Sequence, residues 1–219
     1  MRVLIACESS GTVRQAFQDR GHDAWSCDLL PADDASPYHV TGDAAEVLAD
    51  RWDLLIAHPP CTYLTNAGAC WLYDEDGGVN EERWELMRQG AAFFRLFWEC
   101  KVPHVCIENP VMHGHASRLI GADFAQSVQP WQFGHRECKR TCFWLRGLPL
   151  LQPTSDLQAE TMALPYAERC RLHCLPPGPD RWKIRSKTFE GIAAAMADQW
   201  GGLSREQLDR LARRQKSLF

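Results

Sequence analysis

The chain has 219 residues with a formal net charge of −4, and hydrophobic residues make up 45% of it against 24% charged. A chain of this length supports one α/β domain with a real core and is short for two. The composition is that of an ordinary globular protein, and the acidic balance argues against tight, nonspecific DNA binding through overall charge.

The ten cysteines raise the question of disulfides. The apolar run before Glu8 is too short for a signal peptide, so we expect reduced thiols and a cytoplasmic protein. No apolar stretch approaches the roughly 20 residues that span a bilayer, so we expect no membrane partner.

Strand and helix patterns alternate through the first half of the chain. Short β-rich runs predict strands over residues 3–7, 24–27, 52–57 and 104–107, and amphipathic segments predict helices over 13–19, 43–50 and 81–100. Such alternation is typical of a mostly parallel sheet, whose ligands lie beyond the carboxyl ends of the strands. Each of these strands ends in polar or reactive residues, which indicates one shared cleft.

The second half follows a different pattern. Two neighbouring runs, 124–133 and 141–145, predict an antiparallel edge joined by the basic turn 134–140. The Pro-rich segment 149–181 predicts a helix only over 160–172, and a strong helix follows over 188–200. Gly201 and Gly202 end that helix, and Ser204 is expected to cap a charged one. We therefore expect one domain over 1–200 and a C-terminal helix within 201–219.

The most informative motif is the end of the third predicted strand, His58-Pro59-Pro60-Cys61. Prolines do not continue a strand ladder, so they end the strand and present Cys61 at the sheet edge in a stiff turn. A thiol there is a good nucleophile if nearby positive charge lowers its pKa. The alternative is that Cys61 is one more small buried residue in a Cys-rich chain.

The fourth predicted strand ends in Glu108-Asn109-Pro110, which places a carboxyl group at a neighbouring strand end. Alone, such a glutamate is commonly a solvated or capping residue. Together with Cys61 it supplies a nucleophile and a proton donor for one planar ring, so the pair points to catalysis.

Several motifs resemble, in their order, those of the DNA cytosine-5 methyltransferases. They are the Gly11 turn with its acidic successor Asp28, Gly42-Asp43, Pro60-Cys61, Glu108-Asn109, the basic segment 134–144 and the last segment 185–200. The resemblance covers nearly all of residues 1–200. It implies an α/β, Rossmann-like class I S-adenosylmethionine-dependent methyltransferase fold, with a mostly parallel sheet, an antiparallel edge and helices on both faces.

The resemblance also implies methylation of cytosine at carbon 5 in DNA. Cys61 would add to carbon 6 of a flipped-out cytosine, and Glu108 would hold the exocyclic amine and protonate N3. Lys139 matches the first of the family's two cationic contacts, whereas Thr141 stands at the second and Arg140 is the neighbouring candidate for it. The stretch from Thr62 to Gly68 resembles the mobile loop that closes over the target.

S-adenosyl-L-methionine is the cofactor that the resemblance implies. Asp28 would bind its ribose hydroxyls and Asp43 its adenine amine, while Ser9, Ser10 and Gly11 would line the methionine end. The full set of expected cofactor-binding residues is Cys7, Ser9, Ser10, Gly11, Asp28, Leu29, Asp43, Ala44, His58, Pro59, Pro60 and Thr188.

The family carries a large target-recognition domain between its basic motif and its last motif, and here only the segment 149–181 is available. About 30 irregular residues leave little room for an element that reads base edges in a groove. We therefore treat 149–181 as a reduced recognition segment. It predicts short or relaxed sequence specificity, or a substrate other than long duplex DNA.

Two further patterns have less support. Cys138, Cys142, Cys170 and Cys174, with His135 and His173 beside them, could form a zinc site, but the spacing is not the usual Cys-x-x-Cys and we expect no metal. Tryptophans such as Trp71 could stack on bases, although most are expected to be packing residues.

Two alternative functions stay open. The first keeps the same chemistry but places it on RNA or a free pyrimidine nucleotide, which the negative charge and the short recognition segment favour. The second is a noncatalytic cofactor-fold protein that binds nucleic acid. The presence of both Cys61 and Glu108 argues against this second alternative, because a binding module needs neither. No residue indicates the oligomeric state.

Overall fold

The computed structural model describes residues 1–204, 206–207 and 210–211. The helix expected over 201–219 falls largely outside these residues, although its first turn is partly described. Ser204 Oγ accepts from the Gln207 amide at 3.2 Å, and the Gln207 side chain accepts from the Ser204 amide at 2.8 Å. This reciprocal pair is the capping box of a helix N-terminus, as expected for Ser204.

Seven strands form one sheet in the order β3-β2-β1-β4-β5-β7-β6. Their bounds are β1 Arg2–Ala6, β2 Asp23–Asp28, β3 His39–Thr41, β4 Leu54–Ala57, β5 His104–Asn109, β6 Gln126–Val128 and β7 Thr141–Arg146. The pairs among β1 to β5 are parallel, whereas β7 runs antiparallel to both β5 and β6. A reversed seventh strand at one side of a doubly wound sheet is the Rossmann-like class I methyltransferase fold, which confirms the predicted fold class.

Helices cover both faces of the sheet. They are α1 Thr12–Gln18, α2 Ala44–Val47, α3 Glu81–Trp98, α4 Gly114–Ile120, α5 Gln158–Ala163, α6 Tyr166–Arg169, α7 Arg181–Ser186 and α8 Glu190–Gln199. One apolar core joins the sheet to α1 and α8, and a second joins it to α3 and α4. Successive strand residues point to opposite faces, so one sheet serves both cores.

Three features of the structure differ from the prediction. The strand predicted over 124–133 is only β6, because Pro130 begins a 3-10 turn over Pro130–Phe133. The helix predicted over 160–172 is split into α5 and α6 at Pro165, which has no amide hydrogen and restricts the residue before it. The short elements β3, α4 and α7 were not predicted, because three to seven residues carry little periodicity.

In the part of the chain that the structure describes, no helix combines the length and the apolar character that a membrane span requires.

Candidate active site

The register of the two central strands brings His58 and Glu108 side by side. Strands β4 and β5 run parallel, and their last pair is Ala57 with Ile107, so the next residue of each strand enters the same edge of the sheet. His58 Nδ1 lies 2.9 Å from Glu108 Oε2, and both side chains are about nine-tenths buried. A buried ion pair therefore stands where the sequence predicted a lone carboxylic acid.

A second contact holds the turn that carries Cys61. Asn109, which is 2% exposed, donates from Nδ2 to the Pro59 carbonyl at 2.9 Å. The turn continues with the Leu64 amide donating to the Cys61 carbonyl at 3.0 Å. Cys61 is thus fixed to the end of β5 by a buried hydrogen bond as well as by the two prolines before it.

The pKa values of the pair are shifted in opposite directions. Burial by itself raises the pKa of Glu108, but the hydrogen bond and charge of His58, the charge of Lys139 and the Thr188 hydroxyl lower it to about 2. Burial by itself lowers the pKa of His58, yet the hydrogen bond and charge of Glu108 outweigh it and raise this pKa. In the resting site the proton is therefore on His58 and Glu108 is ionised.

The Cys61 thiol is protonated at rest. Burial raises its pKa and the Glu108 carboxylate adds to this, while the positive charges of Arg185 and Lys139 oppose it. The sequence predicted a strong nucleophile if nearby cations lower the pKa of Cys61. Arg185 and Lys139 do lower it, but burial has the larger effect, so the pKa of Cys61 is raised overall. Cys61, Glu108 and Lys139 all line the same cleft.

The residues just before β7 and just before α8 complete this side of the site. Thr188 Oγ1 donates to Glu108 Oε2 at 3.2 Å, so this residue, which was predicted to bind the cofactor, contacts the acid and also lines the cleft. Lys139 Nζ lies 3.5 Å from the Lys187 carbonyl. Arg140 also lines the cleft, and its guanidinium is 5.9 Å from the Phe124 ring.

A single cleft of about 1090 Å³ connects this centre to the carboxyl ends of β1 and β2. It is wide enough for a nucleoside-sized cofactor and a base together, since ordinary ligand pockets occupy roughly 300 to 1,000 Å³. The predicted cofactor-binding residues that line it are Cys7, Ser9, Ser10, Asp28, His58, Pro59, Pro60 and Thr188.

Four predicted cofactor-binding residues do not line the cleft. Gly11 has a φ of 71°, and a side chain there would collide with the buried guanidinium of Arg14. Leu29 is 77% exposed. Asp43 uses Oδ1 to cap α2 by accepting from the Ala45 amide at 2.8 Å, and Ala44, the first residue of that helix, is buried in the core.

The first strand-to-helix turn is held by a residue for which no role was predicted. Glu8 is 6% exposed, and its carboxylate accepts from the amides of Val13 at 2.8 Å and Arg14 at 3.3 Å. It thereby satisfies amides at the N-terminus of α1 that would otherwise need a partner. Only its position before Ser9-Ser10-Gly11 could have suggested this capping role.

Long-range ion pairs close the far wall of the cleft. Asp33, in the loop after β2, lies 2.6 Å from Lys183 Nζ and 3.2 Å from Lys187 Nζ, which fixes α7 and the residue after it to the β2 side. No sequence signal pairs residues that lie 150 positions apart along the chain. Residues 183 and 187 thus line the cleft, although the sequence patterns before α8 predict only irregular structure there.

The four cysteines proposed as a zinc alternative do not converge. Cys142 is fully buried in β7. Cys138 lies next to Cys170, and burial together with that thiol raises the pKa of Cys138. Among the described residues, no group of three or more His, Cys, Asp or Glu side chains is arranged to hold a metal ion.

A scan against protein-family models found no match, and neither did a search of curated proteins. Among solved structures, the chain is similar to a candidate DNA modification methyltransferase encoded within an E. coli prophage, at 16% identity and a TM-score of 0.44 over 66% of this chain and 46% of that one. It is similar to a TehB-like S-adenosylmethionine-dependent methyltransferase from Corynebacterium glutamicum, at 15% identity and a TM-score of 0.35 over 65% and 77%.

A variant of Spodoptera frugiperda DNMT2 is also similar, at 13% identity and a TM-score of 0.37, covering 71% of this chain and 54% of that one. The chain thus spans about half the length of the prophage protein and of DNMT2. Similarities this distant carry no argument about the reaction, which is inferred from the site itself.

Proposed function

We propose that this protein is an S-adenosylmethionine-dependent methyltransferase that methylates cytosine at carbon 5 in DNA through a covalent adduct on Cys61. The observation that carries the proposal is the shared cleft of Cys61 and the Glu108–His58 pair, in which both strand ends are fixed by buried contacts at 2.9 Å. Reacting groups that are held before the substrate binds are what covalent catalysis requires.

The chain's own residues would divide the chemistry as follows. After its proton passes to solvent, the Cys61 thiolate forms a bond to carbon 6 of the cytosine, and the electrons of the carbon 5–carbon 6 double bond move toward carbon 5 as N3 takes a proton. Glu108 delivers that proton to N3 and is recharged from His58, which holds it at rest. Once carbon 5 bears its methyl group, loss of the carbon 5 proton to solvent restores the double bond and expels the Cys61 thiolate, and N3 returns its proton to Glu108.

S-adenosylmethionine, when bound, would supply the electrophilic methyl group that carbon 5 receives. The residues at the ends of β1 and β2 suit such a ligand, because Asp28 offers a carboxylate to a ribose diol while Ser9 and Cys7 line the same stretch of cleft. Buried His58 Nε2 has no hydrogen-bond partner among the described residues, so a bound molecule can supply one.

Methyl transfer from isotope-labelled cofactor to DNA, followed by mass spectrometry of the released nucleosides, tests this function. Wild-type protein should produce 5-methylcytosine, and Cys61→Ser should produce none while still binding the cofactor. Cys174→Ser is the matched control, because Cys174 is exposed and does not line the cleft. Methylation at another base or at the exocyclic amine would refute the carbon 5 assignment.

A further inference from the structure

The most exposed tryptophans of the protein both line the cleft, on two segments that are far apart in the sequence. All nine tryptophans are described, and only Trp71 and Trp182 are exposed, at 65% and 57%. Trp71 belongs to the wall that follows Cys61, and Trp182 belongs to α7 on the wall built by the segment 149–187. Large indole faces left in water at a cleft usually mark a binding site.

Neither tryptophan is exposed because its backbone is loose. Leu72, the neighbour of Trp71, is 1% exposed and packs into the core that includes α3. Lys183, the neighbour of Trp182, is held by Asp33 at 2.6 Å. Both indoles are therefore carried by anchored backbone, and their exposure is a property of the fold.

Cations without carboxylate partners line the same cleft. Among the described residues, Arg83, Lys139, Arg140 and Arg185 all line it, and none of them forms an ion pair with Asp or Glu. On the outer surface, by contrast, Arg88 and Arg95 of α3 pair with glutamates of their own helix or its end. Six Lys and Arg residues line the cleft against four Asp and Glu residues, so the cleft carries an excess of positive charge in a chain with a net charge of −4.

Resting on the proposed function, we infer that the cleft takes its target as single-stranded polynucleotide, with bases flanking the cytosine stacked on Trp71 and Trp182 and phosphates on the unpaired cations. Aromatic faces stack on any base that is not already stacked, and basic side chains follow the backbone. A base inside a duplex offers no free face to either indole. The expected ligand is therefore a polyanion with unstacked bases. A free nucleotide has one base and no flanking bases, so it can fill only part of this site.

The short elements of the second wall fit a strand better than a groove. Helices α5, α6 and α7 have six, four and six residues, so none is long enough to lie in a major groove and contact several base edges. Stacking needs only one well-placed ring for each base. A segment of this size can thus bind DNA or RNA single strands without reading a long sequence.

Binding of fluorescein-labelled oligocytidylate to the cofactor-free protein tests the inference, with strands of roughly 12 nucleotides to fill a typical site. The arms are single-stranded DNA, the same sequence as RNA, the matched duplex and cytidine monophosphate. We expect either single strand to bind at least tenfold more tightly than the duplex and the mononucleotide, and the tighter of the two identifies the preferred sugar.

Two sets of variants identify the surface. Trp71→Ala and Trp182→Ala should each weaken single-strand binding roughly tenfold, within the range for one stacked base, whereas Tyr38→Ala should not, because exposed Tyr38 lies outside the cleft. Arg185→Gln should make the dependence of log K on log salt shallower by about 0.7, the share of one phosphate contact. Lys101→Gln, before β5 and away from the cleft, should leave it unchanged.

Thermal unfolding of each variant checks that the fold persists, and the affected side chains are exposed, so midpoints should match the wild type. Equal or tighter binding of the duplex, or unchanged affinity in both tryptophan variants, overturns the inference. Because the assay needs no methyl donor, single-strand binding without any cytosine methylation would contradict the proposed function alone. Cytosine methylation with a duplex preference would contradict only the single-strand inference.

Discussion

The two ends of the cleft differ in how their side chains are held. At the ends of β4 and β5, His58, Glu108 and Asn109 make buried contacts with one another's strands, and these fix the turn that carries Cys61. At the ends of β1 and β2, Glu8 and Asp43 accept hydrogen bonds from amides at helix N-termini, whereas Asp28 accepts from the Leu30 amide and lines the cleft. Groups that react need fixed positions, whereas a cofactor can be held largely by backbone and one well-placed carboxylate.

Replacing Glu108 should have the largest effect on the rate of methyl transfer. It should leave the cofactor end of the cleft unaffected. Glu108→Gln keeps the size of the side chain but removes its ability to pass a proton, so we expect single-turnover methyl transfer to fall about 10³-fold, within the range for general acid catalysis. Cofactor affinity, measured by calorimetry, should stay within about twofold, given a cofactor site at the β1 and β2 ends. A loss below tenfold would mean that Glu108 is not the acid.

The pH dependence of the rate should distinguish His58 from a merely structural residue. The pKa of His58 is raised, so its proton is present at low pH and is lost as pH rises through that value, which gives a falling limb. The pKa of Cys61 is also raised, so formation of the thiolate gives a rising limb, and the two limbs together form a bell.

In the variant His58→Gln the falling limb should disappear, and the maximum rate should drop by about 10²-fold. The rising limb of Cys61 should remain, and it serves as the internal control. An unchanged bell would assign the falling limb to another group and remove His58 from the proton path.

Two aspartates at the cofactor end sharpen the comparison further. Asp28→Asn should weaken binding of the cofactor roughly tenfold, as expected when a charged hydrogen bond to the ribose becomes a neutral one. Asp43→Asn should change this affinity little, because Asp43 caps α2 and asparagine caps equally well. Asp43→Ala should instead cost about 1 kcal/mol of unfolding free energy, measured by urea denaturation. Equal losses of affinity in both asparagine variants would return Asp43 to the cofactor site.

The residues at strand ends could be predicted because their signals are local. An apolar run that stops at Pro59 and Pro60 fixes where β4 ends, and Glu108 follows a run of the same kind. Each residue's place at the edge of a parallel sheet follows from its own few neighbours. The fold class, the shared cleft and the positions of Cys61 and Glu108 in it all depend on signals of this type.

The features that could not be predicted from the sequence depend on strand register and on contacts between residues far apart in the chain. That His58 meets Glu108 requires the offset between β4 and β5, which no pattern within either strand contains. The link from Asp33 to Lys183 spans most of the chain. The second wall of the cleft, and with it the exposure of Trp182, therefore could not be seen before the chain was folded.

The most direct test of the central claim is covalent trapping on 5-fluorocytosine, whose carbon 5 fluorine blocks the proton loss that would release the enzyme. With the methyl donor present and a fluorinated oligonucleotide as substrate, intact-protein mass spectrometry should show a one-to-one adduct, and peptide mapping should place it on Cys61. Cys61→Ser should form none, while Cys174→Ser should form it in full. An adduct at another residue, or none with a substrate that is demonstrably bound, would contradict the account.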